Sequence, residues 1–253
     1  MNATAATVAK VAPVTLGFWV MKICATTLGE TGGDLLSMTL GVGYALSSAL
    51  LFGVFLVSLW AQLRSRRFRP WLYWWVILST STAGTTLSDY MDRSLGLGYA
   101  QGALILSGCL ALTLGAWWLS ERSLSVDRID GGRAEVFYWV AILFSNTLGT
   151  ALGDYLADDS GLGFLGGAAL IGAILAAIAL AYAFTRIDRI VLFWAAFVLT
   201  RPFGATFGDL LTKPTARGGL DLGTAGASLV LAGILVAVLY ASTRHRAIAA
   251  TTR

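Results

Sequence analysis

Four stretches decide how this chain folds: FWVMKICATTLGETGGDLLS at 18–37, YWWVILSTSTAGTTLSDYMD at 73–92, YWVAILFSNTLGTALGDYLA at 138–157 and FWAAFVLTRPFGATFGDLLT at 193–212. In each, a tryptophan (Trp19, Trp74, Trp139, Trp194) is followed ten positions on by a glycine (Gly29, Gly84, Gly149, Gly204) and fifteen positions on by an aspartate (Asp34, Asp89, Asp154, Asp209). Self-similarity of this kind marks a unit repeated four times. A carboxylate at the same point of four apolar segments is costly, and a charge in that setting marks a site.

Outward from each core, a short loop leads to a second apolar run opening at Gly43, Gly98, Gly163 or Gly223. Eight runs result, at 13–36, 43–62, 70–92, 98–120, 135–157, 163–185, 190–212 and 223–242. Each has roughly the 17 to 25 residues that an α-helix needs to cross a bilayer. The whole chain, 253 residues at 57% hydrophobic and 13% charged, has too little polar surface to cover a soluble globule. The expected fold is therefore an all-α integral membrane protein with eight transmembrane helices. They form four tandem helical hairpins, with repeats at 14–62, 70–122, 134–187 and 189–244, in one membrane domain, 1–253. The connections between runs are short, the longest being the polar stretch 121–134, so no soluble domain is expected.

Basic residues orient the chain. Loops on the side of the N-terminus hold 13 of them (Lys10, Arg64, Arg66, Arg67, Arg69, Arg122, Arg128, Arg133, Arg186, Arg189, Arg244, Arg246, Arg253), whereas the opposite loops hold Arg93, Lys213 and Arg217. The positive-inside rule then places both termini in the cytoplasm. The same distribution makes the net charge of +4 a topology signal, and nucleic acid is not an expected partner. Cys24 and Cys109 form no CxxC motif, so neither redox chemistry nor a disulfide framework is indicated.

A unit of two spans returns to the side it left, so all four copies point the same way, about a pseudo-symmetry axis along the membrane normal. Successive tryptophans lie 55, 65 and 55 residues apart, the pattern of a pair of pairs. Standing near the cytoplasmic end of each first helix, they read as interfacial anchors. At about 100° per residue, the positions four and seven before each aspartate share its face: Glu30 and Thr27, Thr85 and Thr82, Thr150 and Thr147, Ala205 and Pro202. The glycines lie on another face, in the small-xxx-small pattern that lets helices approach closely. The first helices should therefore form an inner ring, with the aspartates converging at one depth.

Residues that break the fourfold pattern carry their own signal: Lys22 and Glu30 in the first copy, Asn146 in the third, Arg201 and Pro202 in the fourth. Arg201 falls one helical turn below Glu30, within reach of a buried ion pair if helices 1 and 7 are neighbours. Pro202 should kink or break its helix. Asp92, Asp158, Asp159, Lys213 and Asp221 are expected in solvated outer loops.

The repeat with its tryptophan and its TGGDLLS or LGTALGDYLA ending resembles a bacterial membrane-protein family described as carrying a repeat of unknown function. The resemblance runs from about Val14 to Arg244. It implies eight helices in a bacterial inner membrane, and no substrate.

Carboxylates near helix C-termini, where the macrodipole is negative, favour a bound cation or proton. Oxygen donors suit hard ions such as Mg²⁺ or Mn²⁺, and the one histidine, His245, lies in the C-terminal tail. The expected function is a membrane transporter of a cation with proton-coupled carboxylates and no enzymatic activity. Asp34, Asp89, Asp154 and Asp209 bind the ion or proton, and Glu30 extends the site inward. Thr27, Thr82, Thr147 and Asn146 supply neutral oxygens; Lys22 or Arg201 gates or compensates charge. Three alternatives stand beside it: a passive cation or proton channel, an intramembrane aspartyl hydrolase, and a structural subunit. The expected partners are the lipid bilayer and a small cation or proton, with homo-oligomerisation left open; no cofactor is implied beyond a bound cation.

Overall fold

A computed structural model describes residues 9–251, with side chains as far as Arg244. The Arg246 and Arg253 charges and the His245 side chain lie outside the described residues. Within them the fold is all helical, with eight long helices: α1 (Leu16–Asp34), α2 (Tyr44–Arg64), α3 (Pro70–Asp89), α4 (Tyr99–Glu121), α5 (Gly132–Asp154), α6 (Gly163–Phe184), α7 (Arg189–Thr212) and α8 (Thr224–Thr251). Local chemistry sets several starts. Thr15 Oγ1 accepts from Phe18 N at 3.3 Å, and Asp188 Oδ1 accepts from Ile190 N at 2.7 Å, both satisfying amides that a helix leaves unpaired. Pro70 occupies the first turn of α3, where its missing N–H costs nothing.

Among the described residues six helices, rather than the eight expected, are long and apolar enough to cross a membrane: α2, α4, α5, α6, α7 and α8. The physical reason is the polarity of the other two. Helix α1 carries Lys22, Glu30 and Asp34, and α3 runs through serines and threonines from Ser79 to Ser88.

The first helices close into a ring, α1 on α3, α3 on α5, α5 on α7 and α7 on α1. Simple hairpins are not what surrounds it. Each second helix lies along the first helix of the next repeat: α2 on α3, α4 on α5, α6 on α7, and α8 back on α1. The turns explain the divergence. After the aspartate in the first three repeats the helix widens, with Leu40 N bonded to Leu35 O, Leu95 N to Tyr90 O and Ser160 N to Tyr155 O, five residues back, at 2.8, 2.9 and 2.9 Å. Glycines at positive φ then redirect the chain, as at Gly41 (69°) and Gly43 (82°), a conformation other residues rarely adopt.

The four seams of the ring repeat one contact. A Cβ on Gly29 would lie 2.1 Å from Ser81 Oγ, on Gly84 3.0 Å from the Asn146 carbonyl carbon, on Gly149 2.2 Å from Arg201 Cγ, and on Gly204 2.6 Å from Thr26 Oγ1. Ser81, Asn146, Arg201 and Thr26 all stand eight residues before their own aspartate. The small-xxx-small faces thus set the ring's spacing.

At the end of the ring away from the aspartates, the tryptophans turn inward, which corrects their reading as interfacial anchors. Trp74, Trp139 and Trp194 are buried and Trp19 is half-buried. Each contacts its preceding aromatic residue, and the neighbouring copies link in a circle: Phe18 to Trp74 at 5.6 Å, Tyr73 to Trp139 at 5.5 Å, Tyr138 to Trp194 at 6.3 Å and Phe193 to Trp19 at 5.8 Å between ring centroids. The Tyr73 and Tyr138 hydroxyls meet at 2.5 Å inside this layer. Burying eight aromatic faces in one layer stabilises it more than exposure at an interface would. Pro202 does not break α7, which continues to Thr212.

Outside the ring, 22% of the apolar window of each of α2, α4, α6 and α8 is buried, against 67% for α5 and 56% for α7. The outer surface is accordingly rich in exposed leucine, valine and isoleucine, among them Leu104, Leu112, Leu165, Val57 and Leu229.

Candidate functional site

Moving along the ring from the aromatic layer towards the aspartates, the first polar level is Lys22. Its ammonium is fully buried, 3.2 Å from Asn146 Oδ1 and 4.1 Å above the Phe197 ring. Asn146 Nδ2 in turn donates to Thr80 Oγ1 at 2.7 Å. A carbonyl oxygen and an aromatic face return only part of what a lysine in such a place loses in hydration.

The next level is centred on Arg201, also fully buried. Its Nη2 donates to Glu30 Oε2 at 2.9 Å and to the hydroxyls of Thr85 and Thr150 at 2.6 Å each. These are the groups four residues before the aspartates of copies one, two and three, so the polar stripe meets on a cation supplied by copy four. Nη1 and Nε of Arg201 have no hydrogen-bond partner. The other hydroxyls of the stripe are spent locally: Thr27, Thr82 and Thr147 donate to carbonyls of their own helices, at Ile23, Leu78 and Leu143. Their lone pairs alone remain to serve an ion.

The four aspartates follow, all buried, and they divide into two pairs, each bridged by a cation. Lys213 Nζ lies 2.5 Å from Asp34 Oδ2 and 3.2 Å from Asp209 Oδ1. Arg93 reaches Asp89 Oδ1 through Nε and Asp154 Oδ2 through Nη2, both at 3.0 Å. The Arg93–Asp154 and Lys213–Asp34 contacts are hydrogen bonds; the Asp89 and Asp209 contacts are ion pairs only, and Asp34 Oδ1, Asp209 Oδ1 and both Asp89 oxygens lack hydrogen-bond donors. Lys213 and Asp92 were expected in solvent, and both are corrected. Asp92 is buried and accepts from Ser88 Oγ at 3.1 Å, and Lys213 is inside the site. Burial works against the Lys213 ammonium, yet the Asp209 and Asp34 carboxylates beside it hold its pKa above the ordinary lysine value. The signal for both bridges was in the sequence: each cation stands four residues after an aspartate, one helical turn away.

Asp34 and Asp209 come together with Glu30 into one cluster. One oxygen from each lies within 4.8 Å of the others, and all three residues are buried. Asp89 and Asp154 stand apart in the Arg93 half. The site is therefore unequal: one half has three carboxylates and a lysine, the other two carboxylates and an arginine. Hard divalent ions take several oxygen ligands, and the first half supplies them from α1 and α7.

A second buried polar cluster ties the chain near Lys10 to α2 and α5. Lys10 pairs with Glu135, and Gln62 Nε2 donates to Glu135 Oε1 at 3.3 Å. Neither Glu135 nor Gln62 stands out in the sequence, since both lie outside the four repeated cores.

The chain belongs to the family described as Repeat of Unknown Function (DUF347), whose model matches it four times, over residues 17–68, 72–123, 137–188 and 192–247. No curated protein and no solved structure matches it.

Proposed function

We propose that this chain is an integral membrane transporter of a small, hard cation of the Mg²⁺ or Mn²⁺ class, bound by Glu30, Asp34 and Asp209. The observation that carries the reading is the convergence of these three buried carboxylates within 4.8 Å, at the end of an axial file of buried charges that continues through Arg201 to Lys22. A structural role for the aspartates calls for neutral caps or solvent, and does not call for ionisable groups stacked along the axis of a helical ring.

The eight helices span a bacterial inner membrane in this reading, with both termini cytoplasmic and the four repeats about an axis along the membrane normal. The apolar outer faces of α2, α4, α6 and α8 support it, since a contiguous exposed apolar surface of this kind is what lipid covers. Helices α1 and α3 span although they are less apolar, because the ring and the outer helices shelter their polar faces. Asp89 and Asp154 with Arg93 form the fixed half of the site. The carboxylates that release the ion are also the groups able to take up protons, which makes exchange against a proton gradient the expected coupling.

Two features weigh against the competing readings. Lys22 and Arg201 fill the interior of the ring, both fully buried and bonded across it, as in a transporter between access states rather than a continuous pore. Each aspartate is engaged by a cation, whereas an aspartyl hydrolase needs two carboxyls sharing a proton.

Reconstitution into proteoliposomes tests the proposal. Uptake of Mn²⁺ or Mg²⁺ should saturate, respond to an imposed proton gradient, and fall to the level of empty liposomes in Asp34→Asn. Absence of flux for every cation offered, under either polarity of gradient, would remove the reading.

A further inference from the structure

We propose that Lys213 is a tethered competitor for the cation, an ammonium that occupies the Asp34–Asp209 bridge and is displaced when the ion binds. The inference rests on the cation-transport reading and adds to it the residue that sets affinity and charge selectivity.

Position is the first argument. Lys213 Nζ lies between the two aspartates that, with Glu30, bring three ligand oxygens together, so ammonium and ion contend for the same carboxylates. Asp34 Oδ1 is buried and has no hydrogen-bond partner, an acceptor left over when the lysine is in place.

Charge is the second. Glu30, Asp34 and Asp209 face two cations, Arg201 and Lys213, leaving one negative charge uncompensated. A divalent ion in place of the ammonium cancels it; a monovalent ion does not. The exchange therefore favours divalent cations, because uncompensated charge is expensive in a low-dielectric interior.

The contrast with the other half is the third. Arg93 spans Asp89 and Asp154 with two separate nitrogens of one planar group, and among the described residues these two aspartates belong to no cluster of three ligand oxygens. Arginine holds two carboxylates in a fixed fork, whereas lysine is a compact charge on a flexible stem. The half with the lysine is the one that can let go.

The chain also builds a device to hold Lys213. Copy four does not widen into the turn used by copies one to three. It leaves α7 at Thr212 and loops through a longer connection, Trp194 to Gly223 being 29 residues against 24 from Trp19 to Gly43, and returns so that Asp221 N bonds Lys213 O at 3.0 Å and Leu220 N bonds Leu210 O at 2.7 Å. Gly219 lies so close that a Cβ there would sit 2.0 Å from Lys213 O and 2.5 Å from its carbonyl carbon. Both are backbone atoms, which cannot yield by a rotamer change. Gly219→Ala must therefore move the Lys213 backbone.

Mn²⁺ titration of the full-length protein in detergent, followed by electron paramagnetic resonance, decides the matter. Lys213→Gln should bind Mn²⁺ more tightly by on the order of tenfold or more, since the competing charge is gone. Lys213→Arg should bind more weakly than the parent by a similar factor. Gly219→Ala, which keeps every charge, should shift in the same direction as Lys213→Gln and stands in for it if that variant does not fold. A parent that binds Mn²⁺ with Lys213→Gln and Gly219→Ala at or below its affinity overturns the competitor role and leaves the transport reading intact. A parent that binds no Mn²⁺ overturns the site itself.

Discussion

Arg201 Nη2 lies 2.9 Å from Glu30 Oε2 across 171 residues of sequence, with the arginine side chain fully buried and the glutamate 4% exposed. The pair joins α7 to α1 at the seam that closes the ring. Removing one partner leaves a buried charge without compensation, which costs about 3–5 kcal/mol. Arg201→Ala, which strands the Glu30 carboxylate, should therefore lower the unfolding free energy in detergent by about that amount, and Glu30→Gln with Arg201→Gln together by less than the sum of the two single changes. Strict additivity would mean that the pair does not couple the helices.

The tyrosine pair in the aromatic layer offers a cleaner cycle. Tyr73→Phe leaves the Tyr138 hydroxyl buried without its partner, at a cost of about 1–3 kcal/mol. Tyr73→Phe with Tyr138→Phe replaces both groups by apolar ones of nearly the same shape and should recover most of the loss. Thermal unfolding of the three variants reads the difference.

Glycine positions separate by their surroundings. Gly149→Ala sets a methyl 2.2 Å from Arg201 Cγ and 3.0 Å from its backbone carbon, and overpacking of this sort costs about 1–3 kcal/mol. Gly108→Ala, on the outer helix α4 with nothing within 4 Å, should be neutral or slightly stabilising, because alanine is the better helix former. Melting temperatures of the two variants side by side check the claim that the glycine faces set the ring's spacing.

Arg93 bridges two buried carboxylates with different nitrogens. Arg93→Gln should destabilise strongly, and Arg93→Lys should recover only part of the loss, because one ammonium does not reproduce a fork. Full recovery by lysine, seen in denaturant midpoints, would show that charge alone suffices there.

Much of this arrangement is legible in the sequence. The four tryptophan-to-aspartate cores define the repeats, helix boundaries fall within a few residues of the apolar runs except at the end of α8, and Arg201 falls at the level of Glu30 once α1 and α7 are neighbours. Helix pairing is not legible, because either helix of a repeat offers an apolar face and only the turn geometry decides that α2 lies on α3. The tryptophans were misplaced since a ring of aromatics and an interfacial belt leave the same trace at a helix end. Lys213 and Arg93 were hidden by their position just beyond the apolar runs, although each stands one turn after an aspartate. Loop residues are assigned to solvent by default, and only the folded chain shows a loop turning its cation back into the ring.

The central claim is that Glu30, Asp34 and Asp209 form a single cation site. Its most direct test is the stoichiometry of Mn²⁺ bound to purified parent protein and to Glu30→Gln, Asp34→Asn and Asp209→Asn, with Asp158→Asn, whose carboxylate pairs with Arg217 at the periphery, measured alongside. The account predicts one high-affinity ion in the parent and in Asp158→Asn, and its loss in each of the other three. Equal binding by all five proteins, or none by the parent, would contradict it.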